Sequence, residues 1–279
     1  MSSLRDIRRR LRSTENIKKI TDAMERVASA RLRRAQMVAE HSRPYAARMR
    51  EILERLTVCT ETEHPLFDQR EVRKSAVIIV AADKGLSGSY NANVLSAANK
   101  FLKNYTPENM SLLLFGKKAV EHYQNKKWPI DEQFANWTGK ITLNEITHFS
   151  NQLIDHFTEE RYDEIWLVYT HYISIANREV VVDKFLNIAK PESEQKQVSY
   201  IFEPSAKDIL AEILHRYCTT RIQEVLQEAY AAELSARIMA MQMASKNSEK
   251  MIETLTLIRN RVRQESITRE MIEIASGAN

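Results

Sequence analysis

Proline and glycine are scarce in this chain, and both are confined almost wholly to its middle. All six prolines (Pro44, Pro65, Pro107, Pro129, Pro191, Pro204) and four of the five glycines (Gly85, Gly88, Gly116, Gly139) lie between residues 44 and 204, with only Gly277 outside. Proline costs about 3 kcal/mol and glycine about 1 kcal/mol in a helix interior, so residues 1–43 and 205–276 are free to be long helices. Cysteine is rarer still: Cys59 and Cys218 are too few and too distant for a disulfide framework or a metal cluster, and they fit a reducing compartment. No apolar run approaches the roughly 18 residues of a membrane helix, and the N-terminus lacks the apolar core of a secretory signal. Its arginines and serines suggest a mitochondrial transit segment, but Asp6 and Glu15 interrupt them, so none is expected and the chain is read as soluble.

What is present begins with length and charge. The 279 residues, 43% of them hydrophobic, make one or two globular domains with a real core. The formal net charge of +4 conceals an asymmetry, because residues 1–34 hold eleven Lys or Arg against four acids. This basic segment is open to three readings: a surface tracking a nucleic-acid backbone, a surface facing an acidic protein, or a solvated helix face. Its regular apolar seam and lack of exposed aromatics count against the first.

The second breaker-free tract would span about 105 Å as one helix, more than a compact domain of this size can hold. Such a helix needs a partner for its apolar stripe, and the first tract supplies one. Leu4, Ile7, Leu11, Ile17, Ile20, Met24 and Val27 step by three and four, with Thr14 filling the gap. In the second tract Leu214, Tyr217, Val225, Ala229, Ala232 and Ala236 do the same. Met239, Met243, Met251, Leu255, Ile258 and Val262 continue the stripe, with Arg221 and Asn247 in two of its slots. The expected arrangement is an antiparallel coiled coil whose alanine- and methionine-rich middle permits close approach.

Between the tracts, strand and helix patterns alternate. Residues 75–81, 111–115, 164–171, 179–185 and 198–202 read as strands, and 91–103, 117–125 and 144–158 as helices. The fold class is therefore α/β with long helices: an antiparallel coiled coil of N- and C-terminal helices flanking a central Rossmann-like α/β domain with a mostly parallel sheet. The expected domains are residues 1–57, 70–204 and 205–279.

Candidate chemistry is sparse. The stretch AADKGLSGSYNANV at residues 81–94 follows an apolar strand and resembles a phosphate loop, yet Gly85 and Gly88 satisfy neither G-x-G-x-x-G nor the Walker A spacing. A tight strand-to-helix turn, with Asn91 or Ser89 capping the next helix, accounts for it better. The seven histidines form no metal-binding spacing, and Ser87 lacks the G-x-S-x-G context of a nucleophile. No catalytic residue, cofactor site or metal site is expected.

Three separated motifs then resemble the gamma subunit of rotary F-type ATP synthase. They are LRDIRRRLRSTENIKKITDAMERVASARLRRAQ with the following SRPYAARMR, the loop ADKGLSGSYN, and SARIMAMQMASKN with RVRQESITREMIEIASGA. Lys84, Ser87 and Ser89 depart from the family's usual Arg, Cys and Gly. The resemblance is collinear from end to end, and it implies a non-catalytic rotor that carries ion-driven rotation of a membrane c-ring to the catalytic beta subunits. It implies that Lys18, Met24 and Arg26 face the acidic lever of beta, and that Arg237, Arg263, Gln264, Thr268, Glu270 and Glu273 make polar contacts with the alpha–beta ring. Met271, Ile272 and Ile274 would run in an apolar bearing at the top of the ring. Arg43, Tyr45, Tyr200, Phe202 and Glu203 would form the foot against epsilon and the c-ring. The implied location is peripheral, on the cytoplasmic face of a bacterial inner membrane, with neither nucleic acid nor direct membrane insertion. A basic coiled-coil nucleic-acid-binding protein and a small-molecule-binding α/β domain with oligomerisation arms are the alternatives.

Overall fold

The computed structural model describes residues 4–59, 64–67, 70–188 and 205–277. Two long helices, α1 (Leu4–Cys59) and α5 (Ala206–Gly277), bracket β1 (Ser75–Val80), α2 (Tyr90–Leu102), β2 (Met110–Phe115), α3 (Lys117–Tyr123), β3 (Ile130–Phe134), α4 (Leu143–Thr158), β4 (Glu164–Tyr172) and β5 (Arg178–Leu186). A short 3₁₀ turn, Pro65–Phe67, precedes β1. Contacts divide the chain into a paired-helix unit, Met1–Ala30 with Arg237–Asn279, and a sheet unit, Arg31–Ala236.

In the sheet unit the strand order is β3-β2-β1-β4-β5. Strands β3, β2, β1 and β4 are parallel, and β5 closes the edge antiparallel to β4. Every residue of β1 and β2 is buried, which explains why they read as unbroken apolar runs: both faces of a mainly parallel sheet are covered. Ala76, Ile78 and Val80 join the core formed with α4, while Val77 and Ile79 join the core under α2 and α3.

The helices and strands expected from the pattern agree with the structure to within two residues, except for 198–202, which lies outside the described residues. Strand β3 went unread because its sequence, IDEQF, puts acids on a sheet edge. Arg161 donates to Asp131 at 3.1 Å, the Tyr162 hydroxyl donates to the same carboxylate, and Phe134 stacks on Phe115 at 4.5 Å.

One expectation about α5 needs correction. Leu214, Val225 and Ala229 belong to the hydrophobic core of the sheet unit, together with Leu210, Cys218, Ile222 and Leu226, and are not simply a seam for the N-terminal helix. Arg221, read as an intruder in that seam, donates to Asp183 at 2.7 Å, Glu224 at 2.8 Å and the Tyr169 hydroxyl at 3.2 Å. Helix α1 also continues through Pro44, whose missing N–H its ladder tolerates. Burial of Met49, Leu53 and Leu56 on the far side of that proline offsets its cost.

The glycine loop is a turn stapled from within. Asn91 does not cap α2; its Oδ1 accepts the Ala82 N–H at 3.0 Å, and Ser89 occupies the N-cap position without a side-chain capping bond. Asp83 accepts the N–H groups of Lys117 (3.0 Å), Asn136 (2.7 Å) and Thr138 (2.9 Å), and also the Thr138 hydroxyl. Burial pushes its carboxyl up, but these four donors outweigh that and hold it below the ordinary aspartate value. A depressed folded pKa means that the stabilisation is present above the unfolded value near 4 and is lost as pH falls through the folded one. Asp83→Ala strands three backbone donors and should cost about 2–4 kcal/mol, read as a lower melting temperature whose deficit shrinks toward pH 3. A pH-independent deficit would place the loss in packing instead.

Candidate partner-binding surface

The paired-helix unit is antiparallel, as its cross-helix bonds show. Lys18 donates to Glu249 at 2.7 Å, Ser245 to Asp22 at 2.5 Å, Gln242 to Glu25 at 2.8 Å and the Thr14 hydroxyl to the Met251 sulfur at 3.7 Å. The buried positions of α1 are Ile7, Thr14, Thr21 and Ala28, and those of α5 in this unit are Ile238, Met241 and Ser248. Half-buried Leu4, Leu11, Lys18 and Glu25 complete the three-and-four stepping on α1, and Ser245, Ile252, Leu255, Arg259 and Val262 complete it on α5.

Leu4, Ile7, Leu11 and Thr14 of α1 and Leu255 and Val262 of α5 take their expected places in this seam, but from Ile17 onward on α1 and around Met243 and Met251 on α5 it is rotated by about one residue from the expected one. Ile17, Ile20 and Val27 are 49%, 59% and 52% exposed, and Met243 and Met251 are 64% and 56% exposed. Ile258 is likewise exposed, while Met24 and Met239 are half-buried. The small Thr21 and Ala28 go inside because close helix packing favours them, and the more apolar stripe is turned outward. A row of large apolar side chains at helical spacing on an exterior face marks a surface built for a partner. The sequence signal was present as a second stripe one residue away from the buried one.

The residues singled out by resemblance fall as follows. Lys18 is held above its ordinary pKa, first by its hydrogen bond to Glu249; such an exposed pair costs little to exchange for another partner. Arg26 is exposed and Arg237 half-buried. Arg263, Gln264, Thr268 and Glu270 are exposed on α5, with the Thr268 hydroxyl donating to the Gln264 carbonyl at 2.9 Å. Glu273 lies on α5, and its neighbours Met271, Ile272 and Ile274 are exposed, Ile274 at 73%. All of these residues belong to the paired-helix unit.

In the sheet unit, Arg43 lies within α1, and exposed Tyr45 borders an apolar hollow with Met49, Ile209, Ile213 and Arg216. Tyr200, Phe202 and Glu203 lie outside the described residues. Among the described residues no helix is long and apolar enough to cross a membrane, and no group of three or more His, Cys, Asp or Glu is placed to hold a metal.

Beyond Val262 every α5 side chain described is exposed through Gly277, so this stretch buries no face against another helix. A helix of this length that buries no face is marginal in water. In the free chain its amides should exchange orders of magnitude faster than those of β1, as read by hydrogen exchange with mass spectrometry. Equal protection of Ile272, Ile274 and the β1 amides would contradict the pairing.

Comparison with known proteins bears on the whole chain. The sequence model of the family described as ATP synthase matches residues 3–279. The ATP synthase gamma chain of Protochlamydia amoebophila is 52% identical over 281 residues, covering 100% of this chain and 99% of that one. The gamma chain of Desulforamulus reducens is 37% identical over 100% of this chain and 99% of its own. Among solved structures, the rotor of the Euglena gracilis mitochondrial ATP synthase superposes with a TM-score of 0.63 at 15% identity, covering 95% of this chain and 98% of that chain. The central stalk and c-ring structure from Tetrahymena thermophila gives 0.61 at 19% identity, covering 81% and 99%. These two likenesses speak for the fold alone. Identity above half along the full length of the Protochlamydia gamma chain says more than fold, and by it the chain belongs to the gamma chain family of ATP synthase.

Proposed function

We propose that the chain is the central-stalk rotor subunit of an F-type ATP synthase, carrying ion-driven rotation of the membrane c-ring to ATP synthesis or hydrolysis at the beta subunits. The observation that carries this reading is end-to-end similarity to ATP synthase gamma chains. The outward apolar stripe of Ile17, Ile20 and Val27 supports it, because a rotor must present a face to a surrounding ring and still slip past it. Apolar contact without fixed polar geometry meets both needs: dispersion and burial are non-directional, so turning exchanges one contact for an equivalent one.

In this reading residues 1–57 and 205–279 form the shaft and 70–204 the sheet domain. Lys18, Met24 and Arg26 meet the acidic lever of beta; Arg237, Arg263, Gln264, Thr268, Glu270 and Glu273 contact the alpha–beta ring; and Met271, Ile272 and Ile274 run in the bearing. Arg43, Tyr45, Tyr200, Phe202 and Glu203 supply the foot toward epsilon and the c-ring. The chain has no activity of its own and is held peripherally at the cytoplasmic face of a bacterial inner membrane by its partners.

The test is rotation. Lys84 is exposed on the turn after β1, so a bead attached at Lys84→Cys in an immobilised complex of this chain with its alpha and beta partners should revolve in one direction when ATP is added. Brisk ATP hydrolysis with a stationary bead would remove the rotor reading.

A further inference from the structure

Within the sheet unit, α1, α5 and the start of α4 enclose a half-open cleft of about 580 Å³. Two helical stripes form its walls. On α1 the lining positions begin at Arg31 and recur at i+3, i+4 and i+7, and on α5 they begin at Gln223 and recur at the same intervals. The remaining side is the turn from Trp137 to Ile141, followed by Leu143 and Ile146 of α4.

This turn is rigid. Gly139 has φ 66°, and a Cβ there would lie 2.8 Å from the Tyr230 ring, so the backbone sits directly against that wall. The Lys140 N–H returns to the Trp137 carbonyl at 2.9 Å. The Trp137 indole N–H is committed to the Ala81 carbonyl at 3.2 Å, which leaves its ring only apolar surface to offer.

The charge around the cleft is of one sign. Arg31, Arg34 and Lys140 line it, and no Asp or Glu does. Among the described residues these three cations have no ion pair, whereas Arg70, Arg161 and Arg221 of the same unit each have a carboxylate partner. The N-terminus of α4 adds its positive dipole end at Leu143, though the Thr142–Glu145 capping box already satisfies its first donors. Three exposed cations at the rim of an apolar cleft are left unmatched by a neutral hydrophobe, while a small inorganic anion would leave Ile141 and the exposed Leu143 uncovered.

We propose that this cleft binds a small amphiphilic anion, with its carboxylate, sulfonate or phosphate head between Arg31, Arg34 and Lys140 and an aryl or short alkyl body on Ile141 and Leu143, above the buried Trp137 and Ile146. Nothing in this site depends on rotation: its lining is complete within the sheet unit of the free chain, although Arg31, Arg34, Gln223 and Tyr230 come from the two long helices.

The experiment uses the full chain with 8-anilinonaphthalene-1-sulfonate as a fluorescent probe, decanoate as competitor and decanol as its neutral control. Expected are saturable one-to-one binding that weakens with added salt, and displacement by decanoate well below the concentration at which decanol acts. The double variant Arg34→Gln with Lys140→Gln should bind at least tenfold more weakly, and Ala35→Trp, which fills the cleft, should not bind the probe there at all. Titrating decanoate into the unaltered chain, followed by methyl NMR, guards against misfolded variants: the Ile141 and Ile146 methyls should shift. Shifts confined to Ile17 and Ile20, binding unchanged by both variants, equal competition by decanol, or no saturable binding up to about 1 mM would each overturn the proposal.

Discussion

Joining Gln264, changed to cysteine, to a cysteine on the facing beta subunit should abolish sustained ATP turnover by the assembled complex, with recovery when the disulfide is reduced. A rotor must exchange partners among equivalent beta subunits in each cycle, while a static scaffold keeps one. Arg263, Gln264, Thr268 and Glu270 are all exposed, at i, i+1, i+5 and i+7, so they do not share one helix face, and in the proposed rotor they would meet different neighbours as the helix turns. Gln264 suits the substitution because the bond it makes to Thr268 uses its main-chain carbonyl, which cysteine retains. The link has to lie below Met271, since a bond placed in the last turns would let an unpaired helix end unwind and swivel. Nucleotide binding to the cross-linked complex should persist, which separates a stalled rotor from a damaged site. Undiminished proton-coupled ATP synthesis in a fully cross-linked sample without local unwinding would return the weight to a scaffold.

How far the sequence foretold this structure depends on where each element finds its partners. The long helices were legible because helix breakers act locally, and their absence from 1–43 and 205–276 needs no tertiary knowledge. Strands β1, β2 and β4 were legible because burial on both faces leaves an apolar run. Strand β3 was not, since an edge with Asp131 and Glu132 acquires its role only from Tyr162, Arg161 and Phe115, which are remote in sequence. The seam erred for a more instructive reason. Of two neighbouring stripes on α1, the more apolar one, Ile17, Ile20, Met24 and Val27, was assigned to the cross-helix contact. Hydrophobicity alone does not say which stripe the seam takes, and the chain buries the smaller Thr21 and Ala28 while Ile17, Ile20 and Val27 stay exposed. The same limit hid the cationic cleft, because Arg31, Arg34 and Lys140 come from segments that only the fold brings together. Expected contacts to particular partner chains came from the family resemblance, since an apolar stripe can announce a surface without naming what meets it.

Replacing Gly116 by alanine should disrupt the sheet unit, and replacing Gly85 by alanine should leave it intact, although both glycines follow buried strands. Gly116 links β2 to α3 at φ 94°, a conformation that costs an L-residue about 1–3 kcal/mol by itself. A Cβ there would also lie 2.2 Å from the Ala81 carbonyl oxygen and 2.6 Å from its carbon. Neither backbone can retreat cheaply. The Ala81 N–H is bonded to the Phe115 carbonyl at 2.9 Å, its carbonyl accepts the Trp137 indole, and the Gly116 N–H is bonded to Phe134 at 2.8 Å. Movement therefore breaks ladder bonds on both sides of β2, and the combined cost should exceed about 4 kcal/mol, a large part of the 5–15 kcal/mol that stabilises an ordinary domain. Gly85 has no positive φ, and nothing lies within 4 Å of the methyl that alanine would add. Gly85→Ala should therefore be neutral or stabilising by up to about 1 kcal/mol through the unfolded chain. Thermal unfolding followed by near-ultraviolet circular dichroism distinguishes the pair, since Trp137 and Phe115 lie in the core that the Gly116 change would loosen. A Gly116→Ala chain that melts within a few degrees of the unaltered one would show that β1 and β2 can part at their ends without loss, and that the strain argued for this turn is absent.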